Sequence, residues 1–402
     1  MSLRTGITTG TCAAAAARAA ASVLAGQAPP SEVAVELPDG RTVVVPVLRA
    51  GVSVGNALCG VPGTANDVCP PDSERHGGRS LQDTANRGSY SSADPTPVAT
   101  QATAAVRKDA GDDPDVTDGL EIVATVSWTD SEAVTFSAGE GVGTVTKPGL
   151  QVPPGQPAIN PVPRRMIVAA VRQVTSRGLH VEIAIPGGRQ IAAETFNPRL
   201  GVAGGLSILG TSGIVRPYCT RALHDALGCA INVAVACGVM APVLVPGAIG
   251  CRAARARFAV GDQQLIEVGN AWGFVLDLLP RHAWRALLLV GHPGKLAKLA
   301  AGQWDTHSSR SESPTHFVAD LCAQLWGPGA TAGLSSSAQG MTTEGIFAAL
   351  DDRQRTELGS ALAARIRQSV ADRLHAAMPV AVLLVDMSGR TLGYDGDLSP
   401  WQ

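Results

Sequence analysis

Short, uninterrupted aliphatic runs alternate with helix-type stretches through the second half of the chain, and this alternation restricts the fold more than any other feature. Continuously apolar strands separated by helices are typical of a parallel sheet covered on both faces. The pattern therefore predicts a Rossmann-like three-layer α/β domain with a mostly parallel sheet over residues 201–402, with ligands at the carboxyl ends of its strands. The expected strands are residues 206–209, 242–246, 265–268, 286–290 and 380–385.

The first 200 residues follow a different pattern, which predicts an N-terminal two-layer α+β domain over residues 1–200. An Ala-rich helix is expected over residues 11–25, with threonines at its start and Gly26 at its end. A second helix is expected to begin at Pro161. The expected strands are residues 33–37 paired with 42–47, then 102–106, 119–126 and 133–136, and a second hairpin of 179–185 with 190–194.

Residues from about 53 to 100 differ from both halves, because Ser, Thr, Asp, Asn, Gly and Pro dominate and large aliphatic side chains are sparse. Such a segment buries too little apolar surface to offset its ordering entropy. We therefore expect a flexible insertion within the N-terminal domain.

Charge and cysteine content exclude several classes of protein. The 402 residues include 32 Lys plus Arg and 34 Asp plus Glu, so the net charge is −2 and nothing predicts nucleic-acid binding. No apolar stretch reaches the ~20 residues that a membrane-spanning helix needs. Eight cysteines are scattered without a C-x-x-C pair, which disfavours metal sites and predicts free thiols in a reducing, cytoplasmic location.

The first candidate site is the run Thr8, Thr9, Gly10, Thr11 and Cys12, which opens the Ala-rich helix. Hydroxyl groups and free amides at a helix N-terminus can hold a carboxylate or a phosphate. Plain helix capping explains the same residues. For Cys12 the alternatives are a nucleophile, for which the sequence offers no nearby histidine, and a small buried thiol.

The second candidate is an acidic loop, residues 108–119, in which Asp109, Asp112, Asp113 and Asp115 surround a glycine and a proline. It lacks the spacing and the closing glutamate of a calcium-binding loop. The remaining alternatives are a functional acidic loop and a solvated turn.

The third candidate combines a Gly-rich turn at the start of the α/β half with polar residues that follow two expected strands. Glycines let backbone amides approach a nucleotide or a carboxylate, although tight packing also explains them. No G-x-G-x-x-G or phosphate-binding P-loop motif is present. The candidate residues are Gly204, Gly205, Ser207, Gly210, Thr211 and Ser212 in the turn, and Asn270, His292, Lys295, His307 and Ser308 after the strands.

Seven ordered motifs together resemble the CbiD family, over nearly the whole chain apart from residues 53–100. The motifs are residues 5–17, 108–117, 141–150, 157–166, 196–201, 207–217 and 291–302. The resemblance implies S-adenosylmethionine-dependent methylation of carbon 1 of cobalt-precorrin-5B, which gives cobalt-precorrin-6A in the anaerobic route to cobalamin. Cobalt would then enter only as part of the tetrapyrrole substrate.

Motif position and chemistry assign roles within that function. Arginines and helix amides suit the carboxylate arms of the substrate, while the glycines and strand ends suit the cofactor. A homo-oligomer and transient contacts with neighbouring pathway enzymes are left open. The assignments are catalytic roles for Thr8, Thr9, Asp109, Asp112 and Asp113, substrate binding for Thr11, Arg164, Arg165, Arg199 and Arg216, and cofactor binding for the residues of the third candidate.

Two other functions compete with methyl transfer. One is another nucleotide-cofactor α/β enzyme, such as an NAD-dependent oxidoreductase, which the missing G-x-G-x-x-G turn disfavours. The other is a non-catalytic tetrapyrrole carrier of the same pathway, which would not bind S-adenosylmethionine.

Overall fold

The structure of the protein, a computed structural model, describes residues 3–54, 57–58, 99–217, 219–327 and 342–402. Over these residues the chain is an α/β protein with mixed sheets: a six-stranded sheet in the first half, a five-stranded sheet in the second, and three two-stranded pairs. Most of the predicted insertion lies outside the described residues. The division of the chain into domains at residue 200 stays a prediction.

The Ala-rich segment forms a helix, α1, over Thr9–Leu24. Thr8 caps it, because its Oγ1 accepts a hydrogen bond from the Thr11 amide at 3.2 Å, and Gly26 follows its end with φ +81°. Fifteen of its sixteen residues are buried. Alanine side chains let the six-stranded sheet and a second helix, α2 (Pro161–Arg172), approach the α1 backbone closely. The helix prediction is confirmed, with its start two residues earlier.

The six-stranded sheet covers one side of these helices, and all its neighbouring strands are antiparallel except one pair. Along the strand Glu121–Trp128 the even-numbered positions from Ile122 to Val126 are buried and the odd-numbered ones between them are half-buried, which is the alternation of a sheet with one face in the core. In spatial order the strands are β5 (Ala57–Leu58), β4 (Arg49–Val54), β6 (Gln101–Arg107), β7 (Glu121–Trp128), β10 (Leu179–Ala184) and β8 (Val134–Ala138).

The second predicted hairpin is wrong. Residues Gly188–Ala192 form a short helix, α3, where the sequence predicts the return strand. The reason is long-range pairing, since β10 is bonded to β7 on one edge and to β8 on the other. No edge of β10 remains for a hairpin partner.

Smaller elements complete the first half. The predicted hairpin of residues 33–37 and 42–47 is confirmed by an antiparallel pair of strands. Two further pairs join distant segments: residues 6–7 pair with residues 214–215, and residues 144–145 pair with residues 202–203. These elements are β1 (Gly6–Ile7) with β12 (Ile214–Val215), β2 (Glu32–Glu36) with β3 (Thr42–Pro46), β9 (Thr144–Val145) with β11 (Val202–Ala203), and the short helix α4 (Asn197–Leu200).

The five-stranded sheet has four parallel strands and one antiparallel edge strand. Its parallel strands are almost completely buried, as their apolar sequences predict. The antiparallel edge strand was not predicted. In spatial order the strands are β14 (Leu265–Glu267), β13 (Val243–Val245), β15 (Leu287–Gly291), β16 (Val380–Val385) and β17 (Thr391–Asp395).

Helices pack on both faces of this sheet, because alternate residues of its strands belong to two separate apolar clusters. Leu358, Leu362, Ile366 and Val370 of the last helix are fully buried, so one face of that helix belongs to the core. The helices are α5 (Thr220–Ala236), α6 (Ala248–Arg257), α7 (Trp272–Leu278), α8 (Pro293–Ala300), α9 (Thr315–Trp326), α10 (Thr343–Ala348) and α11 (Asp352–Arg373).

The strand predicted over residues 206–209 is wrong. Leu206 and Ile208 make only isolated bridges, to Val142 and Ile159 in the first half of the chain. The backbones approach so closely here that a Cβ on Gly205 would lie 2.3 Å from the Gly141 carbonyl oxygen. Only glycine therefore fits at position 205. The Gly-rich turn therefore packs against the first half and does not open the parallel sheet.

Candidate functional site

Three of the sequence motifs meet at the start of α1. We call this region the N-terminal junction: residues 8–12, the acidic loop 108–119 and the turn 209–213. The hydroxyl of Thr9 donates to the Leu209 carbonyl at 3.1 Å and accepts from the Leu209 amide at 3.0 Å. The hydroxyl of Thr11 donates to the Gly213 carbonyl at 2.7 Å. A Cβ on Gly210 would lie 2.3 Å from Thr8 Oγ1, so the turn can sit here only because position 210 lacks a side chain.

The acidic loop lies on the other side of the same segment. The carboxylate of Asp112 accepts from the backbone amide of Arg4 at 2.6 Å, and Asp109 pairs with the Arg4 guanidinium at 2.5 Å. The Arg4 side chain and the amide of Gly111 hold the pKa of Asp109 below its ordinary value. Asp113 lies half-buried in the loop, beyond Asp112. Backbone and side-chain contacts thus bring residues 4–12 between the two loops.

The junction uses most of the groups that would bind an anion there. The Gly10 amide donates to Leu209, and the Thr11 amide donates to Thr8 Oγ1. Thr8, Thr9 and Thr11 are all buried. Burial also raises the pKa of the Cys12 thiol to about 12, which favours the buried-thiol alternative over a nucleophile. In this arrangement the threonines hold the turn in place.

The four arginines assigned to the substrate differ in availability. Arg164 donates to the carbonyls of Ile159 and Pro157, and Arg199 forms an ion pair with Glu267. Arg165 and Arg216 are exposed and make no hydrogen bond or ion pair to the part of the chain that the structure describes. Arg216 directly follows β12, which pairs with β1 beside the N-terminal junction.

Polar residues cluster at the carboxyl ends of the parallel strands. The parallel strands lie side by side in the order β14, β13, β15, β16. The chain therefore moves from β13 toward one edge of the sheet and then from β15 toward the other, and doubly wound sheets bind ligands outside the point between β13 and β15 where this direction changes. Asn270 follows β14, and His292 follows β15 and caps α8 by accepting from the Gly294 amide at 3.0 Å. Lys295 donates to Asn270 Oδ1, which also accepts from the Thr306 hydroxyl at 3.2 Å. We call Asn270, His292, Lys295 and Thr306 the strand-end cluster.

Burial sets the electrostatics of this cluster. It lowers the pKa of Lys295, and the neighbouring charge of Lys298 lowers it further. Burial likewise lowers the pKa of His292, against the opposing charges of Glu344 and Asp386. His307 and Ser308 follow Thr306 and are exposed. The cluster therefore presents a partly buried cation and a largely neutral imidazole beside exposed polar groups.

The predicted cofactor residues occupy two separate regions. Asn270, His292 and Lys295 come together at the strand ends, whereas Gly210, Thr211 and Ser212 belong to the N-terminal junction. Ser207 donates to the Asn197 side chain at 3.1 Å, and Gly204 and Gly205 line a cleft in the first half of the chain. The turn and the strand ends therefore do not form one contiguous set.

Two residues of the strand-end region were missed by the sequence analysis. Thr306 shares the Asn270 side chain with Lys295, and buried Lys298 donates to the Thr306 carbonyl at 3.1 Å and to Ser311 at 2.7 Å. A usable signal existed for Lys298, because Lys295 and Lys298 are three residues apart and lie on one face of α8. Thr306 directly precedes the assigned pair His307 and Ser308, and that position was the available signal.

Within the described ranges, no group of three or more His, Cys, Asp or Glu side chains is placed to hold a metal ion. No helix there is both long and apolar enough to cross a membrane. The cytoplasmic location stays a prediction.

Comparison with known proteins identifies the family. The family model described as CbiD matches residues 1–73 and 91–217, and the model described as the CbiD C-terminal domain matches residues 305–396. A curated protein of Syntrophotalea carbinolica, named cobalt-precorrin-5B C(1)-methyltransferase, is 46% identical over 400 residues, which is 100% of this chain and 99% of that protein. The chain belongs to the CbiD family. The unmatched stretch between the two CbiD segments, residues 74–90, is narrower than the insertion of about 53–100 expected from the sequence.

A second curated relative agrees with this assignment. A protein of Paramagnetospirillum magneticum with the same name is 37% identical, covering 97% of this chain and 98% of its own length. A crystal structure of the cobalamin biosynthesis protein CbiD from Archaeoglobus fulgidus is 26% identical and covers 77% of this chain and 83% of its own, with a TM-score of 0.36.

Proposed function

We propose that this chain methylates carbon 1 of cobalt-precorrin-5B, with S-adenosylmethionine as the methyl donor and cobalt-precorrin-6A as the product. The observation that carries the proposal is the full-length similarity to the Syntrophotalea carbinolica methyltransferase. A methyl donor follows from the reaction itself.

The strand-end cluster supports the choice of S-adenosylmethionine. The ammonium group of Lys295 has three donors, of which Asn270 occupies one, so it can still bind the carboxylate of the donor's methionine part. Asn270 Nδ2 and His292 Nε2 make no hydrogen bond to other described residues and suit ribose and adenine acceptors. The chemistry of these groups therefore fits the donor, and His307 and Ser308 lie at the exposed rim.

When bound, S-adenosylmethionine supplies an electrophilic methyl group on a sulfonium. The protein needs no covalent nucleophile for this displacement, so its residues act by holding the two reactants in line and by excluding water. Arg165 and Arg216 are the assigned arginines best placed to bind carboxylate arms of the substrate. Thr8, Thr9, Thr11, Asp109 and Asp112 then act as positioning residues of the N-terminal junction, and we assign Asp113 to the same loop function.

The test is anaerobic incubation of the full chain with cobalt-precorrin-5B and S-adenosylmethionine labelled in its methyl group. We expect the label in the macrocycle, and none in a parallel incubation without the protein. A chain that binds the macrocycle but transfers no label would be a carrier, and the proposed function would be rejected.

A further inference from the structure

A cleft of about 270 Å³ lies in the first half of the chain, outside the strand-end cluster. We call it the basic cleft, and its lining includes Lys147, Arg189, Pro198 and the segment from Gly201 to Gly205. None of these residues except Gly204 and Gly205 belongs to the sites assigned above. Its volume suits part of a ligand better than a whole macrocycle.

The charged side chains that line the cleft are all positive. Lys147 and Arg189 line it, and no carboxylate of the described residues does. Neither cation has an ion pair or a side-chain hydrogen bond with the residues that the structure describes. In a chain with net charge −2, two uncompensated cations on one cleft attract an anion.

The backbone fixes the position of Lys147. The amide and the hydroxyl of the preceding residue, Thr146, donate to the Gly201 carbonyl at 2.7 and 2.8 Å. Gly201 has φ +79°, and a Cβ there would lie within 2.6 Å of the Cβ, Cγ and Cδ atoms of Lys147. Glycine at position 201 therefore leaves the space that the lysine side chain occupies. A charge held in place before binding loses less conformational entropy when a ligand arrives.

The rest of the lining is apolar or bare backbone. Ala192, Pro198 and Val202 supply apolar surface, and Gly204 and Gly205 supply backbone without side chains. This combination suits a short carboxylate arm on an apolar body. We propose that the basic cleft binds a carboxylate side chain of the macrocyclic substrate, with Lys147 and Arg189 as its counterions.

The helix α4 lies between this cleft and the proposed methyl-donor site. The inference rests on the proposed function, because the macrocycle is the substrate of that reaction. Pro198 of α4 faces the basic cleft, whereas Arg199 and Leu200 line a second, smaller cavity that extends to Glu267. Glu267 is the last residue of β14, three residues before Asn270. The helix α4 thus lies between a carboxylate-binding cleft and the end of the parallel sheet.

The test measures steady-state kinetics of Lys147→Gln, Arg189→Gln and the double variant. We expect each single change to raise the KM for cobalt-precorrin-5B about tenfold, a factor typical of one lost charged contact. We expect kcat at saturating substrate and the KM for S-adenosylmethionine to stay within about twofold. Arg353→Gln, which removes an equal charge from the exposed face of α11, is the matched control and should change none of these values.

A binding measurement separates this inference from the proposed function, because it needs no turnover. Uroporphyrin, a tetrapyrrole whose side chains all carry carboxylates, should bind the unmodified chain more tightly than the double variant, by about tenfold or more. Phosphate should compete no better than chloride at equal ionic strength; stronger competition would assign the cleft to a phosphate group instead. Unchanged uroporphyrin affinity in the folded double variant would overturn the inference even if label transfer occurs. Loss of affinity without label transfer in the parent chain would reject only the methyltransferase proposal.

Discussion

One hydroxyl group, that of Thr9, binds both backbone groups of Leu209, a residue 200 positions later in the chain. The amide of Gly10 donates to the same Leu209 carbonyl at 3.0 Å. Thr9 is only 4% exposed, so its hydroxyl is committed to this contact. The first turn of α1 therefore fixes the position of the turn that follows Leu209.

Thr9→Val should destabilise the protein. The change keeps the shape of the side chain but leaves the part-buried Leu209 amide without its acceptor, which costs about 1 kcal/mol. Thr9→Ser keeps the hydroxyl and is the control. Thermal and urea unfolding of the two variants should show a loss of stability for valine only. A valine variant of unchanged stability but without turnover would favour a catalytic role for Thr9 over a positioning role.

Cys12→Ala should retain turnover. Since burial raises the pKa of the Cys12 thiol to about 12, the thiolate is almost absent at neutral pH and cannot serve as a nucleophile. We expect kcat within about twofold of the parent value, because methyl transfer needs no covalent intermediate. A loss of a hundredfold or more in a variant that melts normally would contradict this expectation.

Asp115→Asn should be strongly destabilising at neutral pH. The side chain of Lys108 is 2% exposed and its ammonium pairs with Asp115 at 2.6 Å, so the change leaves a buried charge without this counterion, at a cost of about 3–5 kcal/mol. The double variant Lys108→Met/Asp115→Asn removes both charges and should recover part of the loss. Equilibrium unfolding of the three proteins measures the difference. Equal stability of the single and double variants would show that the buried ammonium does not need Asp115.

The pH dependence of this pair has a defined sign. Burial alone would raise the pKa of Asp115, but hydrogen bonds from Lys108 and Thr117 outweigh it and hold the pKa below the ordinary value of 3.8. The stabilisation is therefore present above pH 3.8 and is lost as the pH falls below that value. The stability difference between the parent chain and Asp115→Asn should shrink in that acidic range.

The sequence is sufficient to predict the parallel strands but not all their neighbours. Continuous apolar runs such as Val380–Val385 are recognisable because both faces of the strand are buried. The edge strand Thr391–Asp395 has exposed and polar positions and so resembles a turn. The false hairpin after β10 fails for another reason, since its strand-forming pattern is local whereas both edges of β10 are taken by distant strands.

For the candidate site, the sequence indicates which residues carry chemistry but not what they contact. Helical capping by Thr8 depends on a residue three positions away and was foreseeable. The partners of Thr9 and Arg199 lie 200 and 68 positions away, so no local pattern reveals them. Gly205 was expected beside a cofactor because it is glycine, yet in the structure its missing side chain admits the carbonyl of Gly141.

Lys295→Met should weaken binding of S-adenosylmethionine about tenfold, as expected for one lost charged contact. Because burial lowers the pKa of Lys295, the ammonium loses its proton at lower pH than an ordinary lysine with a pKa of 10.5. Affinity in the parent chain should therefore fall as the pH rises toward that value, and the variant should lack this pH dependence. Isothermal titration calorimetry at several pH values measures both effects. Equal affinity of the two proteins would remove Lys295 from the proposed donor site.

Arg199→Gln should raise the KM for cobalt-precorrin-5B less than Lys147→Gln does. The guanidinium of Arg199 is already paired with Glu267, and both side chains are partly exposed, so the pair contributes at most about 1 kcal/mol to stability. The exchanged pair Arg199→Glu/Glu267→Arg should restore whatever either single change loses, which a double-mutant cycle on stability and on the KM for cobalt-precorrin-5B would show. If Arg199→Gln instead raises that KM about tenfold with no coupling to Glu267, Arg199 binds a carboxylate of the substrate directly, as its motif suggests, and its contact with Glu267 is incidental.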